Sequence, residues 1–183
     1  NLANDGQISR EEQEEFAIQS HEKALKSQSE GKFDQEIIPV NLADGTTASK
    51  DEGPRTPDIE KIKSLSPAFI DNGRVTAATS SPISIGASAL LVTSEGYANE
   101  HNLTIRAKII SRAIAGVDWK RMGIGPIPST DKALKNAGLS FDDMDAIELN
   151  EAFAAQSLYV IREGGFPEEK VNLNGGAIAL GHP

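Results

Sequence analysis

Cysteine is absent from these 183 residues. No disulfide, thiolate metal site or cysteine nucleophile can therefore come from within the chain. Basic residues are also short: 18 Lys and Arg stand against 27 Asp and Glu, for a formal net charge of −9. An acidic surface repels phosphate backbones, so nucleic acid is not expected as a partner. An anionic ligand would have to be met locally, by a few positive groups or backbone N–H donors. No run approaches the roughly 20 apolar residues of a membrane span. The first ten residues lack the basic-then-apolar pattern of a leader peptide, and there is no starting Met, so the expectation is that the native N-terminus is missing. Cytoplasm is then only a default location.

What is present is ordinary for a globular protein: 38% hydrophobic and 25% charged residues. Ser9 and Glu12 have the spacing of a capping box, predicting a helix from Arg10 to about Glu30, closed by Gly31. Its many charges read as a solvated surface helix. Residues 36–41 suggest a short strand, and 44–57, with Gly45, Gly53, Pro54 and Pro57, a loop. Thr56 with Pro57 predicts a helix start running to Leu65. Composition changes at Arg74. Residues 87–92 read as a buried strand, Ser94 as the cap of a helix reaching His101, and 105–117 as a long strand. Gly123, Gly125, Pro126 and Pro128 predict a rigid loop, followed by a helix that Gly138 ends. Ser140 and Asp143 repeat the capping-box spacing. Short strands at 145–149 and 171–174 flank a helix over 151–163, closed by Gly164. Strand and helix alternate from Ile105 onward, which predicts an α/β layered domain. The expected division is 1–73 as a polar subdomain, 74–103 as the end of one domain and 104–183 as the first part of another. The chain stops in the Gly-rich turn Gly181-His182-Pro183, where a domain seldom finishes, so truncation at both ends is expected.

Two strings could carry chemistry. Asn150 opens Asn150-Glu151-Ala152-Phe153-Ala154-Ala155-Gln156, where a strand gives way to a helix. Ligands of open α/β folds gather at such strand ends, but Asn is equally a common helix N-cap. Asn174 to Pro183 holds paired glycines, which let backbone approach a ligand closely, and His182, which can change protonation near neutral pH. A plain hairpin turn and a surface histidine are the alternatives. His21 and His101 lie in charged surroundings and read as surface residues. No metal-ligand spacing appears, and Gly123 and Gly125 do not form a dinucleotide fingerprint.

Taken together these strings resemble the thiolase family. The resemblance rests on Asn150 to Gln156 and Asn174 to Pro183, with Ile8-Ser9-Arg10-Glu11-Glu12-Gln13, Ser66-Pro67-Ala68-Phe69, Val75-Thr76-Ala77 and Met122-Gly123-Ile124-Gly125-Pro126 in the family's order. It implies a layered α/β/α fold, partial here, with an inserted loop subdomain over 1–73 that binds coenzyme A. It implies an acyltransferase that cleaves or condenses 3-ketoacyl-CoA and acetyl-CoA through an acyl-cysteine. His182 would face and ionise the catalytic cysteine, and Asn150 would hold a water that, with His182, stabilises the thioester oxyanion. Arg55 would contact the nucleotide end of coenzyme A, and Ser81 and Phe153 its pantetheine arm. Where the family commonly has Gly and Asp after that serine, this chain has Pro82 and Ile85. Coenzyme A enters as substrate; no prosthetic group or metal is implied. The parent is expected to be a homodimer or homotetramer, with both cysteines outside these residues. The Met122 loop and Thr79-Ser80-Ser81 point by resemblance toward fatty-acid degradation. The competing reading is a non-catalytic relative that binds acyl-CoA or serves as a scaffold.

Overall fold

The computed structural model describes residues 1–183. After a single turn, α1 (Leu2–Asp5), the chain forms α2 (Arg10–Ser29), the axis around which the rest is laid. Its start obeys the sequence: the Ser9 hydroxyl accepts the Glu12 N–H and the Glu12 carboxylate accepts the Ser9 N–H. Two otherwise orphaned donors are thereby satisfied. The expected solvent exposure is not found. Ala17, Ser20, His21, Ala24 and Ser27 are buried along one face of α2. A scan for large apolar residues misses this stripe because its members are small or polar. Small side chains let backbones close in: a Cβ on Gly175 would sit 2.7 Å from both the Ala24 Cβ and the Ser20 carbonyl oxygen.

A short hairpin follows, β1 (Val40–Asn41) against β2 (Thr47–Ala48), antiparallel, with Val40 opposite Ala48. The expected strand over 36–41 is thus reduced to its last two residues. In the turn, the Asp44 carboxylate accepts the Thr46 N–H at 2.9 Å and the Thr46 hydroxyl at 2.6 Å. Helix α3 (Ile59–Ser64) starts two residues later than Thr56 suggested. Asp58 caps it, accepting the Lys61 N–H at 3.0 Å. Helix α4 (Glu95–Glu100) is capped by Ser94 as expected.

The strands expected at 87–92 and 105–117 do not form ladders. Leu90, Leu91, Ile109 and Ile110 lie exposed instead. Apolar runs identify a segment suited to a sheet interior, but a strand exists only where a second segment hydrogen-bonds to it, and no part of this chain does so there.

The Gly123–Pro128 segment is not a loop either. Helical turns span Trp119–Ile124, and α5 (Pro126–Ala137) begins at the first proline. Proline is tolerated in a first turn because its missing N–H would have no intrahelical acceptor there. Gly138, at φ 70°, ends the helix in the left-handed region. Ser140 and Asp143 form the second capping box.

The C-terminal part carries the α/β signature. Ile147 and Val171 meet in a parallel bridge, flanked by Ile147 N–H to Lys170 O and Asn172 N–H to Ile147 O, each 2.9 Å. Between them runs α6 (Ala154–Glu163). The strands expected at 145–149 and 171–174 are thus reduced to one bridged pair, which with the helix between keeps the order of an α/β crossover unit. Leu149, Val160, Ile161, Phe166 and Val171 form the core, with Phe141 tilted against Phe166 at 4.8 Å between ring centres. Ala17, Ala154 and Ile178 join α2 to α6 and to the last helix, α7 (Ala177–Leu180). No helix is long and apolar enough to cross a membrane.

Candidate functional site

Asn150 follows the Ile147 bridge at the end of its strand-like segment. It is exposed, yet its two neighbours are not: Leu149 is 7% and Glu151 1% accessible. The N-cap alternative does not hold, since α6 starts three residues later with Phe153 in the cap position. Phe153 is kept extended by a bridge to Ser80.

The neighbours of Asn150 are fixed by side chains distant in sequence. The Asn172 amide accepts the Leu149 N–H at 2.7 Å and donates to the Leu149 carbonyl at 2.8 Å. The same amide donates to Glu151 Oε1 at 2.8 Å. Ser20, on α2, donates to Glu151 Oε2 at 2.6 Å, and the Ile178 N–H, on α7, donates to it at 3.2 Å.

His182 arrives from the other side. It follows α7 and Gly181, whose φ of 106° and ψ of 159° suit glycine alone. A Cβ there would also lie 2.6 Å from the Ser84 hydroxyl. The turn delivers the ring so that Asn150 Nδ2 and His182 Nε2 stand 3.3 Å apart. An amide nitrogen can only donate, so the contact is a hydrogen bond in the tautomer with the imidazole proton on Nδ1 and a free lone pair on Nε2. An exposed amide donor beside a ring nitrogen that can take or return a proton is suited to polarising a carbonyl and exchanging a proton beside it.

Ser81 and Phe153 border the same segment. The Ser81 backbone N–H and hydroxyl both donate to the Ala152 carbonyl, each at 3.0 Å. The Phe153 ring is partly exposed and meets Phe69 edge-on, centroids 6.0 Å apart at 71°. Arg55 is exposed and lies on the next loop, where it donates to Gly53 O at 3.3 Å. That loop rests against α7, because Gly53 packs directly on the Ala179 carbonyl with no room for a side chain. Four of the five expected site residues therefore lie along 150–153 and its partners, and Arg55 is joined to them through the Gly53 contact.

The other histidines divide. His101 is a surface residue tilted against Tyr97, ring centres 4.0 Å apart. His21 is not, being buried on α2 with Nδ1 unpartnered. Burial, with the positive charge of Arg55 adding to it, pulls the His21 imidazole down to about 4.

Sequence reasoning gave no separate place beside Asn150 to Ser20, Glu151, Asn172 or Phe69, though Glu151 and Phe69 lie inside the strings Asn150 to Gln156 and Ser66 to Phe69. Between Asn150 and Ala152, nothing local marks the Glu151 carboxylate as turned inward, and a carboxylate is ordinarily solvated. Asn150 also borders a groove of about 400 Å³ between α5 and residues 144–150.

Two family models match the chain. The family model described as "Thiolase, N-terminal domain" matches residues 1–96, and "Thiolase, C-terminal domain" matches residues 103–183. The chain is 55% identical over 186 residues to a protein of Vibrio vulnificus named 3-ketoacyl-CoA thiolase, an alignment covering 96% of this chain and 48% of that protein. It superimposes on human mitochondrial 3-ketoacyl-CoA thiolase in complex with CoA with a TM-score of 0.97 at 42% identity, covering 100% of this chain and 46% of that one. It superimposes on the dimeric peroxisomal thiolase of Saccharomyces cerevisiae with a TM-score of 0.95 at 45% identity, covering 100% of this chain and 47% of that one. The chain thus spans about half the length of the curated relatives it matches.

Proposed function

Because the chain belongs to the thiolase family, we propose that it supplies the His182 and Asn150 half of an acyl-transfer site in a larger protein. That protein reversibly cleaves 3-ketoacyl-CoA with coenzyme A, or condenses two acyl-CoA molecules. The observation that carries this reading is the 3.3 Å approach of the Asn150 amide to the His182 ring.

The chemistry needs a thiol, and these residues contain no cysteine. The nucleophile belongs to residues outside the 183. His182 takes the proton of that thiol. The thiolate attacks the carbonyl carbon of the 3-ketoacyl thioester chain at the β position, and the bond between the α and β carbons breaks. The electron pair leaves as the enolate of acetyl-CoA, which is then protonated. Coenzyme A attacks the acyl-cysteine, releasing shortened acyl-CoA and restoring the thiol. Negative charge gathers on thioester oxygen at the enolate stage. Asn150, through a held water, and His182 stabilise it there, as fixed donors do for any oxyanion.

Arg55 meets the nucleotide end of coenzyme A, and Ser81 and Phe153 line the pantetheine arm. Residues 1–73 form the subdomain that holds the nucleotide; 74–103 and 104–183 belong to the two domains on which the site is built. The neighbour crystallised with CoA supports the choice of substrate, and the dimeric yeast neighbour supports a homo-oligomer. In the full-length protein, His182→Ala is expected to slow acyl-enzyme formation at least about 100-fold, as loss of a general base does. Rapid-quench measurement of the first turnover decides it, and a burst of normal rate rejects the assignment.

A further inference from the structure

The Glu151 carboxylate is 1% exposed, and no lysine or arginine pairs with it. A buried anion without a counter-charge is costly unless hydrogen bonds replace the lost water. Three donors do so here: the Ser20 hydroxyl at 2.6 Å, the Asn172 amide at 2.8 Å and the Ile178 N–H at 3.2 Å. Each comes from a different part of the fold: α2, the turn after Val171, and α7. The donors cannot be reversed. Ser20 accepts the Gly176 N–H at 3.1 Å, and its own proton goes to the carboxylate at 2.6 Å in preference to the Gly176 carbonyl at 3.5 Å. Asn172 is held in one orientation by the Leu149 N–H and C=O. Gly176 packs so closely on the carboxylate that a side chain there would overlap it.

Glu151 directly follows Asn150, and Ile178 lies four residues before His182. The carboxylate is therefore the tie between the two segments whose side chains meet at 3.3 Å. We infer that Glu151 is a positioning residue, fixed by Ser20 and Asn172, that sets the separation of Asn150 and His182 and so the rate of the chemical step, without touching acyl-CoA. The inference rests on the reading of Asn150 and His182 as the reacting pair.

Glu151→Gln tests it sharply, because the shape is kept while one acceptor becomes a donor. Its NH2 must face either Asn172 or the Ser20 and Ile178 donors, and neither can yield. In the full-length protein, thiolysis kinetics are expected to show kcat down about 100-fold, the scale of an active-site displacement near 1 Å. KM for coenzyme A stays within about threefold, since uniform binding is untouched. A crystal structure of the variant is expected to show the Asn150–His182 contact opened. Wild-type kcat, or an unchanged contact, overturns the inference. His182→Ala, assayed alongside, separates the two failures. If His182→Ala is inactive while Glu151→Gln is normal, only the positioning role falls; if His182→Ala is itself normal, the reading beneath it falls as well. Should Glu151→Gln not fold, Ser20→Ala removes the donor to Glu151 together with the acceptor of the Gly176 N–H. It is expected to lower kcat about tenfold at constant KM, the effect of one hydrogen bond to a charged group. Wild-type kcat in Ser20→Ala overturns the inference equally.

Discussion

Asn172 acts as a substitute strand for Leu149: its side-chain amide satisfies both the N–H and the C=O of that residue, at 2.7 and 2.8 Å. Backbone ladders ordinarily do this work. Here one side chain does it from a left-handed backbone conformation, φ 48°, which Asn adopts more readily than most residues. The first prediction follows. Asn172→Ala leaves the Leu149 groups and part of the Glu151 carboxylate without partners and adds backbone strain. A loss of about 3 kcal/mol is expected. Asn172→Gly removes the strain and keeps the other losses. Urea midpoints of the full-length variants give the comparison; equal stability to wild type would show that water replaces the amide.

Gly175 and Gly45 make a matched pair. Both have φ 85°, but only Gly175 faces α2; around Gly45 there is nothing within 4 Å. Gly45→Ala should cost about 1 kcal/mol, the left-handed penalty alone. Gly175→Ala adds the clash with Ala24 and Ser20, and a loss of about 3 kcal/mol is expected. Denaturant titration of the two variants measures the difference. If they lose the same amount, the approach of that turn to α2 is not tight in solution.

The buried His21 makes stability depend on pH. Its folded value, about 4, lies below the ordinary 6.5. Between those values the unfolded chain binds a proton that the folded one refuses, so stability falls as pH drops from about 6.5 toward 4, by at most about 3 kcal/mol. Above 6.5 the contribution is constant. Hydrogen bonds from Ser9, Thr46 and Ser140 hold the carboxyls of Glu12, Asp44 and Asp143 below the usual carboxylate range. Those groups lose their contributions only at still lower pH. His21→Gln should flatten the profile between pH 6.5 and 4; an unchanged slope would mean that the ring is protonated in the fold.

Asn150→Ala separates the two half-reactions. Attack of coenzyme A on the acyl-cysteine should change little, whereas the carbon–carbon step should slow about 100-fold, the usual effect of deleting one oxyanion donor. Single-turnover assays starting from acyl-enzyme and from 3-ketoacyl-CoA read the two steps. Equal slowing of both would assign Asn150 to general positioning.

Phe69 and Phe153 meet edge-on at 6.0 Å. Phe69→Ala should leave the Phe153 ring loose and raise KM for coenzyme A about fivefold, with kcat little changed, since an aromatic pair contributes about 1 kcal/mol. An unaltered KM removes Phe153 from the pantetheine wall.

What could be read from sequence was what depends on near neighbours. The Ser9–Glu12 and Ser140–Asp143 caps and the Gly138 stop need only residues within one turn, and all three are present. The α/β alternation survives in the Ile147–α6–Val171 unit. Strands at 87–92 and 105–117 failed because pairing is a property of two segments and the pattern describes one. The burial of α2 was hidden because Ala and Ser carry weak apolar signal. Asn150 and His182, which the structure brings within 3.3 Å of each other, were singled out through recognisable strings, while Glu151, inside one of them, was given no role because a carboxylate is ordinarily solvated. Nothing local says that Ser20, 131 residues away, is there to receive it.

The exposed tracts around Leu90 and Ile109 bear on handling as well as on fold. Greasy, extended backbone with free N–H and C=O groups welcomes any other strand it encounters, including its own copies. Prepared alone, this polypeptide should cling to itself on dilution from denaturant, and a Lys or Pro placed in either tract should keep it dispersed.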